Sequence, residues 1–208
     1  MSFKIFNFVL FVTPFLLTGC LNLKPTDDTT RHYALSPIIT SQNNTTAACP
    51  NNKANECQKI IGLARILIPE YLDRPKIIYE NCQNEYKIAE FHRWMESLEK
   101  NISRVIARNL SDLSPNCTII EAPWKNMGKP EYELNIHILD FKTQLFLSHT
   151  LLQVRYSIIN IADNQIITGE EVCIKIPLNQ ECEEYLMIVT SMDQALAQLS
   201  KEIALNFK

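Results

Sequence analysis

The sequence is poor in glycine. Only four occur in 208 residues, and beyond position 20 they are Gly62, Gly128 and Gly169, far apart from one another. A phosphate-cradling loop needs clustered glycines so that the backbone can approach its ligand. A nucleotide hydrolase is therefore excluded, and any energy source belongs to a partner. Basic surplus is missing as well. The net charge is −3, and no Lys/Arg run forms the face that a nucleic acid would require. The four histidines, His32, His92, His137 and His149, are scattered and fit no HExxH pattern. No GxSxG elbow occurs, and nothing sets a nucleophile beside a base. These absences leave no sign of an enzyme, and neither a cofactor nor a metal is expected.

Long apolar runs are absent except at the start. Lys4 precedes an apolar stretch from Ile5 to Leu17, shorter than the ~20 residues that span a bilayer. A basic start, an apolar middle and small residues at the end make a signal peptide. The closing letters Leu17-Thr18-Gly19-Cys20 resemble the bacterial lipobox, in which the cysteine is lipidated and becomes the mature N-terminus. Residues 1–19 are then a lipoprotein signal peptide, 20–30 a lipidated tether and 31–208 the folded domain. Leu21 follows Cys20, where aspartate would signal retention at the inner membrane, so outer-membrane anchoring is expected. One acyl chain holds a protein only marginally; the several chains of such lipoproteins hold it firmly.

Seven cysteines cannot all pair within one chain. Lipidation of Cys20 leaves Cys49, Cys57, Cys82, Cys117, Cys173 and Cys182. Seven and eight residues lie inside the pairs Cys49/Cys57 and Cys173/Cys182, too many for a zinc knuckle. An even set in an oxidising periplasm predicts three disulfides. Sequence alone leaves fifteen connectivities open. The expected set is Cys49–Cys57, Cys173–Cys182 and Cys82–Cys117.

With 46% hydrophobic and 21% charged residues the chain can bury a core, and its length fits one domain. Strands are expected over 31–38, 59–72, 117–123, 131–141, 151–160 and 165–178, and a hairpin over 75–94 turning between Glu80 and Glu85. Residues 39–57, rich in Asn, Thr and Ser, form a loop. Leu98, Ile102, Val105, Ile106, Leu110 and Leu113 line one face of a helix ended near Ser114-Pro115. A second amphipathic helix covers about 184–206. The order strands, helix, strands, helix predicts an α+β domain: a largely antiparallel sheet with two amphipathic helices packed on it.

IPEYLDRPKII at 68–78 is the most informative stretch. Two prolines bracket Glu70 to Arg74 and fix φ at both ends of a compact connection. A rigid turn with local hydrogen bonds from Asp73 and Arg74 is the plainer expectation. The other has Tyr71 and Arg74, with Asp73 between them, facing a partner. Leu145-Phe146-Leu147 poses a similar choice, with core burial ahead of partner contact by Phe146.

Taken in order, LTGC, HYALSP at 32–37, IPEYLDRPKII, EYKIAEFHRWMESLEKNISRVIARNL at 85–110 and YLMIVTSMDQALAQLSKEIA resemble the PqiC/YmbA family of ABC-type transport auxiliary lipoproteins. The chain departs from that pattern in its six further cysteines and its 39–57 loop. The resemblance implies a non-enzymatic lipoprotein at the outer membrane, facing the periplasm. It implies two partners, an MCE-domain protein that spans the periplasm and an inner-membrane transporter component, with which it moves lipid between membranes and supports envelope integrity. A homo-oligomer is left open. A structural or assembly lipoprotein of the envelope would carry the same anchor and a similar fold.

Overall fold

The structure is a computed structural model and describes residues 29–37, 59–124, 127–179, 181 and 183–207. The signal peptide, Cys20, Cys49, Cys57, Cys182 and the 39–57 loop lie outside the described residues. Eight strands lie among the described residues: β1 Arg31–Tyr33, β2 Lys59–Leu63, β3 Lys76–Cys82, β4 Glu85–Trp94, β5 Cys117–Glu121, β6 Tyr132–Gln144, β7 His149–Asn160 and β8 Gln165–Pro177. Two helices join them, α1 Leu98–Leu113 and α2 Glu184–Ala204.

All eight strands belong to one sheet, and β6 is its hub. Antiparallel β7 runs along the whole of one β6 edge, and β8 follows on β7. The other edge is shared. β2 pairs in parallel with Tyr132–Leu134 at the start of β6, and β3 in parallel with Gln144 at its end. Between them Leu67 bridges to His137. The sheet thus forks, with β2–β5 at one end of β6 and β3–β4–β1 at the other.

The sheet is mixed, not largely antiparallel. Strands joined by short turns, β3/β4 and β6/β7/β8, run antiparallel, as a tight turn demands. Strands that meet across long connections, β1/β4, β2/β5, β2/β6 and β3/β6, run parallel. Two expected strands are also shorter. β1 stops at Tyr33 because the next N–H groups leave the sheet: Leu35 N–H donates to Asn101 Oδ1 and Ser36 N–H to Asp193 Oδ1. β2 stops at Leu63, and the bracketed segment forms a single 3-10 turn at Glu70–Leu72.

The core follows from the two periods. On β7, Leu152, Val154, Tyr156 and Ile158 are buried in strict alternation. On β6, Leu134, Ile136 and Ile138 do the same, and then the register slips between Ile138 and Asp140. This bulge moves the inward phase to Phe141 and Thr143. Leu98, Ile102, Val105, Ile106 and Leu110 of α1 join the same core as Ile188, Met192, Leu196, Leu199 and Ile203 of α2. The two helices touch each other, α1 also touching β5 and α2 touching β7 and β8. Polar bonds tie the layers: Thr143 to Thr150 at 2.6 Å, and Thr150 to Ser191 of α2 at 2.6 Å.

The strand directions give the domain two distinct ends. β3, β6 and β8 finish at the first end, where β4, β7 and α2 begin. β1 runs parallel to β4, so its start also points to this end. The second end holds the β7–β8 turn, the starts of β2, β5 and β6, and the close of α2.

The expected Cys82–Cys117 disulfide is absent, both residues being free thiols. Cys82 lies at the first end, beyond the Glu80–Gln144 pair. Cys117 pairs with Lys59 at the second end. Most of β6 separates them, roughly 40 Å at ~3.3 Å per residue, against a limit of about 7 Å between the Cα atoms of a disulfide. Cys173 is likewise free, exposed on β8 opposite Gln153.

Candidate functional site

The bulge in β6 places Asp140, Lys142 and Gln144 on the sheet face turned away from the helices. There they meet Glu80 of β3 and the 3-10 turn of the bracketed segment. Tyr71 donates its hydroxyl proton to Asp140 Oδ1. Lys142 Nζ lies 3.0 Å from Asp140 Oδ2 and 3.4 Å from Glu80 Oε2. It also donates to Tyr86 Oη at 3.2 Å. Gln144 donates to Glu80 Oε2 at 2.7 Å, and Asn84 N–H to Glu80 Oε1 at 2.9 Å. The rings of Tyr71 and Tyr86 cover the group with centroids 5.6 Å apart.

Charge balance explains why this cluster is stable. Burial pushes the Glu80 carboxyl upward, but the donors Asn84, Gln144 and Lys142 outweigh it and the pKa is lowered. Burial pulls Lys142 down, but hydrogen bonds to Asp140 and Tyr86 outweigh it and the pKa is raised. Burial, and then the bond to Asp140, hold the Tyr71 phenol well above its ordinary range. A strongly raised phenol and a fixed ammonium are poor proton shuttles. The cluster holds the turn onto the sheet.

The four residues expected to face a partner therefore divide. Tyr71 is half-buried and engaged with Asp140. Asp73 and Arg74 are exposed, their backbone N–H groups closing the turn on Glu70 O and Leu72 O. Phe146 stands away from them, in the 3-10 turn Leu145–Leu147 between β6 and β7. Leu145 packs on the core, but Phe146 is 42% and Leu147 51% exposed, so core burial does not hold for that pair. Ser148 closes the tip in the left-handed region, at φ 52°.

Residues outside the sequence-level expectations matter as much. At the second end Ile161, Ile166 and Ile167, around the β7–β8 turn, are all exposed, as is Leu205 at the close of α2. Their signal in the sequence was the pair Ile166-Ile167, one residue beyond the Asp163-Asn164 turn. An open cleft of about 510 Å³ lies nearby on the helix-free face, lined by Leu67, His137, Arg155, Ile166 and Glu171 among others. Its two arginines are already committed, Arg65 to Glu99 and Arg155 to Glu171. Among the described residues no three His, Cys, Asp or Glu side chains gather as a metal site. No helix among them is long and apolar enough to cross a membrane.

The cluster and the two exposed ends are held on one sheet by these buried polar bonds. The family described as ABC-type transport auxiliary lipoprotein component matches residues 39–204. The chain belongs to that family. Among its curated relatives is the intermembrane transport lipoprotein PqiC of Escherichia coli (strain K12), 22% identical over 125 residues, 60% of this chain and 59% of the relative. The same protein of Shigella flexneri aligns equally. The auxiliary lipoprotein thus spans about three fifths of the length of the curated relatives it matches. A crystal structure of a protein from Xanthomonas campestris superposes with a TM-score of 0.64 at 14% identity, covering 85% of this chain and 96% of the other. A further crystallised protein gives a TM-score of 0.68 at 17% identity, covering 86% and 99%. At these identities the two structures establish the fold of the auxiliary lipoprotein alone. The family is named for transport assistance and not for a catalytic activity.

Proposed function

We propose that this auxiliary lipoprotein is lipidated at Cys20, stands on the periplasmic side of the outer membrane, and forms the receiving end of an intermembrane lipid transport system that supports envelope integrity. Its partners are an MCE-domain protein that spans the periplasm and a transporter component in the inner membrane. The observation that carries this reading is the family match over 39–204, which follows within twenty residues of a lipobox cysteine. The curated relative named for intermembrane transport supports it.

In this reading the partner docks on the second end, where Ile161, Ile166 and Ile167 are exposed. Exposed apolar groups of this kind mark interaction surfaces. Asp73 and Arg74, exposed on the turn between the two ends, complete the proposed contact.

The experiment is purification of the mature lipoprotein from envelopes, with mass spectrometry of its N-terminus and identification of what co-purifies. An acylated Cys20 in the outer-membrane fraction, together with an MCE-domain protein, is the expected result. A free N-terminus, or recovery in soluble periplasm, overturns the anchor. An acylated protein that captures no MCE-domain protein, under conditions that keep other envelope complexes intact, overturns the transport role.

A further inference from the structure

β8 leaves a long edge of the sheet open: among the described residues its thirteen residues pair only with β7. Leu178 N–H donates to Ser148 O at 3.0 Å, and the register with β7 runs unbroken from Pro177 back to Thr168. Hydrogen-bonded pairs alternate along an antiparallel ladder, so the even residues of this stretch turn their N–H and C=O groups to β7. Gly169, Glu171, Cys173, Lys175 and Pro177 turn theirs to the open side. The side chains divide in the same rhythm. Val172, Ile174 and Ile176 join the core, with Val172 and Ile176 only half-buried at its rim. Glu171, Cys173 and Lys175 lie exposed on the helix-free face. A long edge with apolar residues up to its rim is a template for a further strand.

The charges identify that strand. Glu171 and Lys175 stand at equal distances on either side of Cys173. A two-fold axis through Cys173, perpendicular to the sheet, sets β8 against β8 of a second copy in antiparallel register. Glu171 of each copy then faces Lys175 of the other, and Val172 faces Ile174. Arg155 holds Glu171 Oε2 at 2.7 Å, which leaves Oε1 for that lysine. Unlike charges directly opposite one another stabilise such a ladder and like charges destabilise it. An axis through Glu171 or Lys175 would oppose like charges, and one through Val172 or Ile174 would give neither residue an unlike partner. Self-complementarity about one axis is what an isologous dimer requires.

We infer that β8 is the interface between two copies of this lipoprotein, paired antiparallel about Cys173 into one continuous sheet. Gly169 to Pro177 of each copy take part. About eight backbone hydrogen bonds close the seam, the two outermost pairs giving one each because Pro177 has no N–H. Ile166 and Ile167 fall outside the paired span and stay open to the protein partner proposed above. The two Cys173 thiols point onto the helix-free face, with about 5.5 Å between their Cα atoms, and stay open to reagents. The dimer needs neither the Cys20 anchor nor the transport role.

The test uses the full chain, extracted in mild detergent. Two copies with different tags are co-expressed, and one tag is used to recover the other. The parent should recover its second copy, and sedimentation in density-matched detergent should give the mass of two chains. Glu171→Lys alone, or Lys175→Glu alone, sets like charges opposite one another on both sides of the axis, and recovery should fall at least about tenfold. Both residues are exposed, so both variants should melt like the parent. A Glu171→Lys chain co-expressed with a Lys175→Glu chain brings unlike charges together again, and recovery should return to the parent level. Single variants that pair as well as the parent, or a mixed pair that stays apart, overturn this interface. A parent that sediments as a monomer overturns the dimer, and the charges of β8 then only guard its edge. A short bis-maleimide gives a check on the unmutated chain: peptide maps should contain Cys173 joined to Cys173, and their absence overturns the register.

Discussion

His92 of β4 and Tyr185 of α2 stack face to face, with ring centroids 3.5 Å apart and planes 12° from parallel. Tyr33 of β1 bonds His92 Nδ1 through its hydroxyl at 2.8 Å, and Tyr79 of β3 meets Tyr185 edge-on at 6.1 Å. Four elements are thereby joined where the tether enters, with Arg31 held 2.7 Å from Glu183. Burial, and then the charge of Arg31, lower the His92 pKa. The imidazole stays neutral and can accept the Tyr33 proton.

Tyr185→Ala should cost about 2 kcal/mol, from lost ring contact and lost burial. The folded His92 binds its proton less readily than the unfolded one. Its stabilisation is therefore present above the ordinary histidine value near 6.5 and is lost as pH falls through the lowered pKa. In Tyr185→Ala that acid-side loss should shrink, because the ring becomes hydrated. Urea unfolding at pH 5 and pH 7.5, with the His92 titration followed by NMR, checks both parts.

Lys142→Met should be among the most damaging single changes. It leaves Glu80, 3% exposed, and Asp140 without their shared ammonium. Removing one partner of a buried ion pair typically costs about 3–5 kcal/mol. The buried Glu80 carboxylate would then resist ionisation, so the deficit should diminish as pH falls toward 4. A deficit that stays constant between pH 7.5 and 4 would mean that packing of the lysine stem, not charge, carries the effect.

The helices and the β7 stripe were legible because their periods are unbroken: Leu98 to Leu110 at helical spacing, Leu152 to Ile158 at every second residue. The polar cluster was not, because the bulge at Ile138/Asp140 reverses the phase of β6 midway. Read without that slip, Asp140 and Lys142 are two charges at the frayed end of a strand. The strand directions were hidden for a different reason. Which strands adjoin across a long connection is decided by the shared edge of β6, and no local pattern records it. The Cys82–Cys117 pairing failed on the same point, since spacing along the chain says nothing about the length of β6. Apolarity alone ranks core burial of Phe146 and Leu147 ahead of partner contact, and exposure reverses that order. A hairpin tip has no layer above it to bury them.

Asp193 of α2 accepts Ser36 N–H at 2.9 Å, and burial raises its pKa to about 6. The folded state holds this proton up to about pH 6, whereas the unfolded chain releases it near 4. Its contribution is full below about pH 4 and is lost as pH rises through 6. Asp193→Asn keeps the acceptor and removes the charge. The variant should gain about 1 kcal/mol at pH 7.5, the figure being reduced for remaining solvent access, and nothing at pH 4. Melting curves at the two pH values test the sign. A variant less stable than the parent at pH 7.5 would mean that attraction to Arg104 outweighs burial.

The three described thiols should separate by reactivity. Cys117 is 7% exposed and burial raises its pKa, so it lacks both access and thiolate. Cys82 and Cys173 are exposed. With an aromatic disulfide reagent, Cys82 and Cys173 should react in the native protein and Cys117 only on unfolding, on the order of 10²-fold more slowly. Non-reducing peptide maps should contain no Cys82–Cys117 cross-link, because the length of β6 forbids it. Cys82→Ser should then shift stability by less than about 0.5 kcal/mol, as surface changes do. A native disulfide there would have stabilised by roughly 2–4 kcal/mol, so a loss of that size, or a cross-linked peptide joining the two residues, would require a different arrangement of β2 and β3 along the shared edge of β6.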